Sequence, residues 1–120
     1  MSQEANDLTA HKVLIAACLK HRVPFFWRSP GTLLISGKGI RTVLEQVVSD
    51  GHTILGLEGF ELESSVIHAR IDLIFDASRR PEGTDPIQIV SDWSAEVWVD
   101  AFLSDDSSGG PTTTKPNRSG

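Results

Sequence analysis

Cysteine is almost absent from this 120-residue chain, since Cys18 is its only occurrence. A single cysteine excludes an internal disulfide and any metal site built from several thiolates. Cys18 lies within the apolar segment VLIAACLKH, so we expect a small buried hydrophobe rather than a nucleophile. No histidine pair stands at metal-ligand spacing, and no hydrolase or redox motif is present. The sequence therefore predicts no metal, no cofactor and no enzymatic activity.

Long apolar runs are lacking as well. None approaches the ~20 residues that a membrane-spanning helix requires. The polar, acidic start MSQEANDLTAHK is unlike a secretory signal, so we expect no membrane interaction and a cytoplasmic location. Hydrophobic residues make up 39% and charged residues 22% of the chain, as in globular domains. We predict one domain over residues 6–103, flanked by a disordered N-terminus at 1–5 and a disordered polar tail at 104–120.

The chain has no excess of positive charge, and its formal net charge is -5. Residues 1–50 carry +2, residues 51–103 carry -7, and the remaining tail is neutral. The acidic segment 51–103 repels the phosphate backbone of nucleic acids, which argues against nucleic-acid binding. The same charge favours encounter with a basic protein partner. Alternatively, the charge serves only to keep the protein soluble.

The hydrophobic periodicity predicts helices and strands in the order α-β-β-α-β-β-α-β. The first helix runs from a cap at Asn6 or Asp7 to about His21, and strands follow at 25–28 and 32–35. A second helix runs from 36 or 37 to about 50, and two strands joined at 63–65 come next. A short helix at 86–93 and a last strand at 96–103 complete the domain. The segment at 29–31 reads as a turn.

From residue 32 onward this order is β-α-β-β-α-β, the ferredoxin-like or split β-α-β arrangement. We therefore predict an α+β fold with a mainly antiparallel sheet of four or five strands and helices packed on one face. The second face is either open, where it would also permit a homodimer, or covered by the first helix. The sequence leaves both alternatives open.

The stretch TILGLEGFELESSVIHARIDLIFD, residues 53–76, contains the strand pattern most relevant to function. In its second strand, alternation predicts an inward set of Ile67, Ala69, Ile71, Leu73 and Phe75. The outward set is His68, Arg70, Asp72 and Asp76, and Glu58, Glu61 and Glu63 on the neighbouring strand make this face acidic. Gly59 marks a change of phase in the first strand, as expected for a bulge. A solvated surface and a docking surface are both compatible with this face, and a catalytic or metal site is disfavoured because the residues form no pocket.

The last strand has apolar residues on both of its faces. One face carries Val97, Val99, Ala101 and Leu103. Trp98, Asp100 and Phe102 occupy the other. Either the strand is covered on both faces, or the two aromatic residues are exposed as contact residues.

The leading hypothesis is a small non-enzymatic binding protein whose acidic sheet face docks a basic protein. In size and charge the chain resembles the small acidic inhibitors and immunity proteins that neutralise bacterial toxins, although it shares no motif with them. The predicted partner-binding residues are Glu58, Glu61, Glu63, His68, Arg70, Asp72, Trp98, Asp100 and Phe102.

The alternative hypothesis is a ferredoxin-like sensor of a small anion. It depends on the glycine-rich junction between the second strand and the second helix. There, free backbone amides at the start of the helix and two adjacent cations suit an anion. The residues concerned are Gly37, Lys38, Gly39 and Arg41. Neither the dinucleotide fingerprint nor the phosphate-loop motif is present, so a plain turn with a helix start is the favoured interpretation of the junction.

Overall fold

A computed structural model describes residues 2–28 and 31–104, with side chains described from Ala10 onward. The helices are α1 (Ser2–His21), α2 (Ile40–Ser49) and α3 (Pro86–Ser91), with a 3-10 turn at Ala77–Arg79. The strands are β1 (Phe25–Arg28), β2 (Thr32–Ser36), β3 (Ile54–Glu63), β4 (Val66–Asp76) and β5 (Trp98–Leu103). None of the described helices has the length and hydrophobicity to span a bilayer.

The end of α1 and the start of α3 follow the signals in the sequence. Arg22 takes a positive φ of 58°, and the Val23 amide donates to the Cys18 carbonyl at 2.8 Å, which closes α1. At α3, the Asp85 carboxylate accepts from the Ile87 amide at 3.0 Å, with Pro86 at the first helical position.

Other boundaries differ from the sequence prediction. Helix α1 begins at Ser2, before the predicted cap at Asn6 or Asp7, and α2 begins only at Ile40. The predicted turn at 29–31 lies partly outside the described residues, as does all but the first residue of the predicted 104–120 tail.

The five strands form one antiparallel sheet in the order β1-β2-β5-β3-β4. The α+β class and the antiparallel sheet agree with the prediction. The ferredoxin-like arrangement is not confirmed, because this strand order does not clearly match it. The last strand, β5, occupies the centre of the sheet between β2 and β3. Strand order depends on which edges pair across distant parts of the chain, which hydrophobic periodicity does not specify.

All three helices pack on the same face of the sheet. One buried cluster joins Leu14 and Cys18 of α1, Leu44 of α2 and Val90 of α3 to Val99 of β5. Cys18 is fully buried, as predicted, and desolvation raises the pKa of its thiol to about 11. Because the thiolate is the reactive form, Cys18 is inert in the folded protein.

The alternation predicted for β4 is wrong over most of its length. Glu58 pairs with Ile74, whereas the next residue, Gly59, pairs with Arg70, so three residues of β4 bulge out of the ladder. A Cβ on Gly59 would lie 2.8 Å from the Leu73 Cβ, which explains why glycine stands at this phase change. The bulge leaves Ile71 85% exposed instead of buried.

Because of the bulge, the odd-numbered side chains at the two ends of β4 point to opposite faces of the sheet. Phe75 lies opposite Leu57, and both are buried beneath the helices. Ile67 lies opposite Leu62, which is five residues along β3 from Leu57 and therefore on the other face. The predicted single row from Ile67 to Phe75 is thus divided between both faces.

Candidate protein-binding surface

One face of the sheet carries no helix among the described residues. Because Val99 and Ala101 lie in the core under the helices, the alternating residues Trp98, Asp100 and Phe102 point to the opposite side. The buried residues of the helices all belong to the core cluster on the first side. The suggestion that α1 covers the second face is therefore wrong, and we call this side of the sheet the uncovered face.

The strand register identifies the residues of the uncovered face. Its side chains form cross-strand rows, and the ladder between β5 and β3 pairs position 98 with 60, 100 with 58 and 102 with 56. Alternation along the remaining strands completes the set. The members are Phe26, Arg28, Thr32, Leu34, Ser36, Leu55, Gly56, Glu58, Phe60, Leu62, Ile67, Ala69, Ile74, Asp76, Trp98, Asp100 and Phe102.

Large apolar side chains of the uncovered face remain in contact with solvent. Phe102 and Ile74 are each 44% exposed, and Leu62 is 46% exposed. The rings of Phe26 and Trp98 meet edge to face, with centroids 5.0 Å apart. An apolar, aromatic surface of this kind on one side of a sheet is typical of an interaction surface rather than of a solvated one.

Asp100 lies in the middle of this apolar surface. Only 8% of its area is exposed, and among the described residues neither a hydrogen-bond donor nor a cation contributes to its electrostatic environment. Burial, and secondarily the charge of Glu58 across the strand pair, raises the pKa of Asp100 to about 7. The prediction treated Asp100 as a surface charge, whereas the structure makes it a largely buried side chain that has no partner among the described residues.

A shallow groove of about 240 Å³ on this face is lined in part by Glu58, whereas Asp100, the strand partner of Glu58, lines a separate cleft with His11. The lining of the groove includes Leu55, Gly56, Glu58, Ile74, Asp76 and Phe102. The ring of Phe102 packs over Gly56, where an added Cβ would lie 3.5 Å from Cδ1. We call this feature the Gly56 groove. Sequence reasoning missed Leu55, Gly56 and Ile74, although the consecutive apolar residues Leu73, Ile74 and Phe75 indicated that β4 presents apolar side chains on both faces.

The remaining predicted charges form a separate cluster on the helix side of the β3–β4 hairpin. Glu61 is opposite His68 and two residues along from Gly59, so it points away from the uncovered face. Arg70 Nε donates to Asp72 at 2.8 Å, and its guanidinium also pairs with Glu61 at 2.5 Å. The hydrogen bond from Arg70 lowers the pKa of Asp72. His68 approaches Glu63 at 4.0 Å.

This arrangement corrects the predicted acidic face in two respects. Glu58 is separated from Glu61 and Glu63 by the plane of the sheet, so the three do not make one patch. The opposite cluster also neutralises part of its own charge, because Arg70 lies between two carboxylates. Exposed ion pairs of this type contribute little to stability.

The glycine-rich junction offers few free donors for an anion. The Gly37 amide donates to the Val97 carbonyl at 2.7 Å, and the Lys38 and Gly39 amides donate to the Oγ and carbonyl oxygen of Ser36 at 3.2 and 3.1 Å. Arg41 forms an ion pair with Glu45 at 3.1 Å. These contacts give the junction a structural role as the turn before α2.

A cleft of about 410 Å³ lies away from the predicted residues. Loop residues 80–85 and apolar side chains such as Ile54, Phe75 and Ile87 line it. His52 is also in its wall, with a buried Nδ1 that has no hydrogen-bond partner. That nitrogen is screened from the cleft by its burial, so the cleft offers an incoming molecule mainly apolar contact. Among the described residues, no three metal-ligating side chains cluster there or elsewhere.

No family model matches the chain, and neither a curated protein nor a solved structure matches it. The geometry of the uncovered face is therefore the basis on which function is inferred.

Proposed function

We propose that the protein is a non-enzymatic binding module that docks a basic protein partner on its uncovered face. The observation that carries this proposal is the carboxylate of Asp100, which lies at the centre of an apolar surface and has no partner in the part of the chain that the structure describes. Aromatic residues are enriched in the energetically dominant part of protein interfaces, and a desolvated carboxylate among them is stabilised when a partner supplies the opposite charge.

The charges on this face determine the class of partner. Glu58 and Asp100 lie opposite each other on adjacent strands, and Asp76 lines the Gly56 groove together with Glu58. A partner that brings a cation to this position relieves the repulsion between the two carboxylates while covering the apolar residues around them. A second copy of this chain would instead bring two further carboxylates, so the structure favours a basic partner over a homodimer.

The test compares two charge reversals on the same strand. Immobilised wild-type protein is expected to retain a basic protein from cell extract in a salt-sensitive manner. Glu58→Lys, on the uncovered face, should weaken retention of that protein at least tenfold, because it replaces attraction by repulsion. Glu63→Lys is the matched control, since it makes the same charge change on the opposite side of the sheet.

The outcomes separate the two surfaces. Retention that survives Glu58→Lys but is lost in Glu63→Lys would contradict the proposal and identify the cluster around Arg70 as the binding surface. Equal weakening by both reversals would indicate attraction by net charge alone, and would also contradict it. Melting temperatures of both variants should stay close to that of the wild type, since Glu63 is exposed and Glu58→Lys places a cation opposite Asp100.

A further inference from the structure

Strands β2 and β5 pair along only part of their length. The pairing ends at Ile35 and Val99, although β2 begins at Thr32 and β5 continues to Leu103. A cleft of about 330 Å³ lies at this end of the strand pair. Its lining comes from residues 10–11 of α1, residues 31–32 at the start of β2 and residues 100–103 of β5. We call this feature the β2–β5 cleft.

Asp100 supplies the carboxylate of the β2–β5 cleft. More than nine-tenths of its area is buried, and no described residue donates a hydrogen bond or a positive charge to it. Thr32 of β2 and His11 of α1 line the same cleft, so polar side chains from three elements surround it. A desolvated carboxylate is costly unless a donor or a cation meets it. The cleft therefore suits a group that carries both positive charge and hydrogen-bond donors.

The rest of the lining is apolar and matches an alkyl chain. Ala10, Ala101, Phe102 and Leu103 provide it. A lysine side chain has the complementary form, because its aliphatic stem packs on apolar surface while its ammonium carries the charge. The three donors of an ammonium diverge, which suits polar groups that come from three different elements. The donors of a guanidinium lie in one plane and are best used by acceptors in that plane.

We propose that the β2–β5 cleft receives one lysine side chain of the basic partner, with its ammonium at Asp100 and its stem along Phe102 and Leu103. This inference rests on the proposed function and specifies the group that is recognised. Thr32, Asp100 and Phe102 belong to the uncovered face, so the cleft borders the surface that docks the partner. A free small amine has the same chemistry as the lysine head, and capture of the partner separates the two.

Binding of an ammonium at Asp100 depends on pH. The carboxylate attracts a cation only when ionised, and because the pKa of Asp100 is about 7, affinity should rise between pH 6 and 8. The titratable groups nearest to it are Glu58 on β3 and His11 of α1. Strand β2 contributes none, and Arg28 of β1 lies beyond β2, opposite Thr32. Protonated His11 would repel the ammonium, which also favours binding at the higher pH.

Butylammonium is the probe for this proposal, with butylguanidinium and uncharged butanol as the comparison compounds. In amide NMR titrations at pH 8, butylammonium should shift the signals of residues 11, 32, 100 and 102. Butylguanidinium should bind more weakly, and butanol should produce no saturable shift. Lowering the pH to 5.5 should weaken butylammonium binding by about tenfold, because Asp100 becomes protonated. His11→Gln should retain this pH dependence, and its loss in that variant would contradict the role of Asp100.

Asp100→Asn should weaken butylammonium binding by about tenfold or more at pH 8, because it removes the charge that the ammonium meets. Glu96→Gln, which removes an exposed carboxylate just before β5, is the matched control and should leave binding unchanged. The proposal is overturned if the wild type gives no saturable shifts, or if the shifts map to residues 55, 74 and 76 of the Gly56 groove. Tighter binding of butylguanidinium than of butylammonium, or equal weakening by both variants, would also overturn it.

Capture of the basic protein then distinguishes a lysine of the partner from a free amine. Asp100→Asn, and an excess of butylammonium over the wild type, should each reduce retention of the captured protein. If the probe binds the cleft but neither change affects retention, the cleft serves a free amine, and the lysine assignment fails while the proposed function stands. Equal retention by Glu58→Lys and Glu63→Lys would remove the proposed function itself, whatever the probe does.

Discussion

Replacing Gly37 by alanine is expected to lower the free energy of unfolding by ~3 kcal/mol or more. The added Cβ would clash with the Val97 carbonyl oxygen and lie 3.0 Å from that of Ser94. Both obstacles are backbone atoms in the turn leading into β5, so no side chain can rotate away to relieve the clash. Shifting this turn would also disturb the 2.7 Å hydrogen bond from the Gly37 amide to Val97. Chemical denaturation would measure the loss.

Gly83→Ala is the matched control for this prediction. Gly83 has a φ of +92°, but an added Cβ would meet no atom within 4 Å. Its replacement should lower the free energy of unfolding by only ~1 kcal/mol, because alanine disfavours this backbone conformation but meets no clash. Gly37 has no positive φ, so a loss there measures close packing alone. If Gly37→Ala proved no more destabilising than Gly83→Ala, the described packing of the α2 junction against the β5 turn would be incorrect.

Asp100→Asn is expected to stabilise the folded protein at alkaline pH. The folded-state pKa of Asp100 is raised from the ordinary 3.8 to about 7, so between these values the unfolded state binds fewer protons than the folded state. Stability therefore falls as the pH rises from about 4 to 7 and is constant above about 8, with a total loss of ~4 kcal/mol from this group. The variant removes that loss, although its amide remains buried.

Denaturation of both proteins at several pH values tests this expectation. Asp100→Asn should exceed the wild type by ~2–4 kcal/mol at pH 8 and approach it at pH 4, where the wild-type carboxyl is protonated. Glu96→Gln should follow the wild type throughout. Asp72 and Asp76 have lowered pKa values, so they affect stability only at more acidic pH and in the opposite direction. A variant less stable than the wild type at pH 8 would mean that Asp100 has a stabilising partner.

The local elements follow from the sequence because their signals are local. The Asp85-Pro86 helix start, the cationic end of α1 at His21 and the hairpin at 63–65 all depend on residues adjacent in the chain. Gly59 correctly marked an irregularity in β3 pairing. The extra residues themselves lie in β4, at 71–73, where apolar residues continue at the odd-numbered positions 71, 73 and 75 and give no local sign of a bulge.

The same local reasoning could not predict the strand order or the face of the sheet on which each side chain lies. Placing β5 at the centre depends on pairing with β2 and β3, which are distant in the sequence. Because the irregularity was placed in β3 rather than in β4, Glu58 and Glu61 appeared to share one acidic surface. Without the strand order, Asp100 appeared exposed. The residues Trp98, Asp100 and Phe102 were nevertheless assigned to a common face correctly, because β5 is a regular strand. The Gly56 groove depends on the register and had no sequence signal of its own.

The titration of the Asp100 side chain tests most directly whether the uncovered face contains a buried, unpaired carboxylate. Carbon-13 NMR of the side-chain carboxyl can follow this group from pH 3 to 10, with Asp100→Asn identifying its signal. The structure predicts a midpoint near 7, which Glu58→Gln should lower because it removes the neighbouring charge. A wild-type midpoint near 4 would show that Asp100 is either solvated or already paired, and would contradict the description of the binding surface.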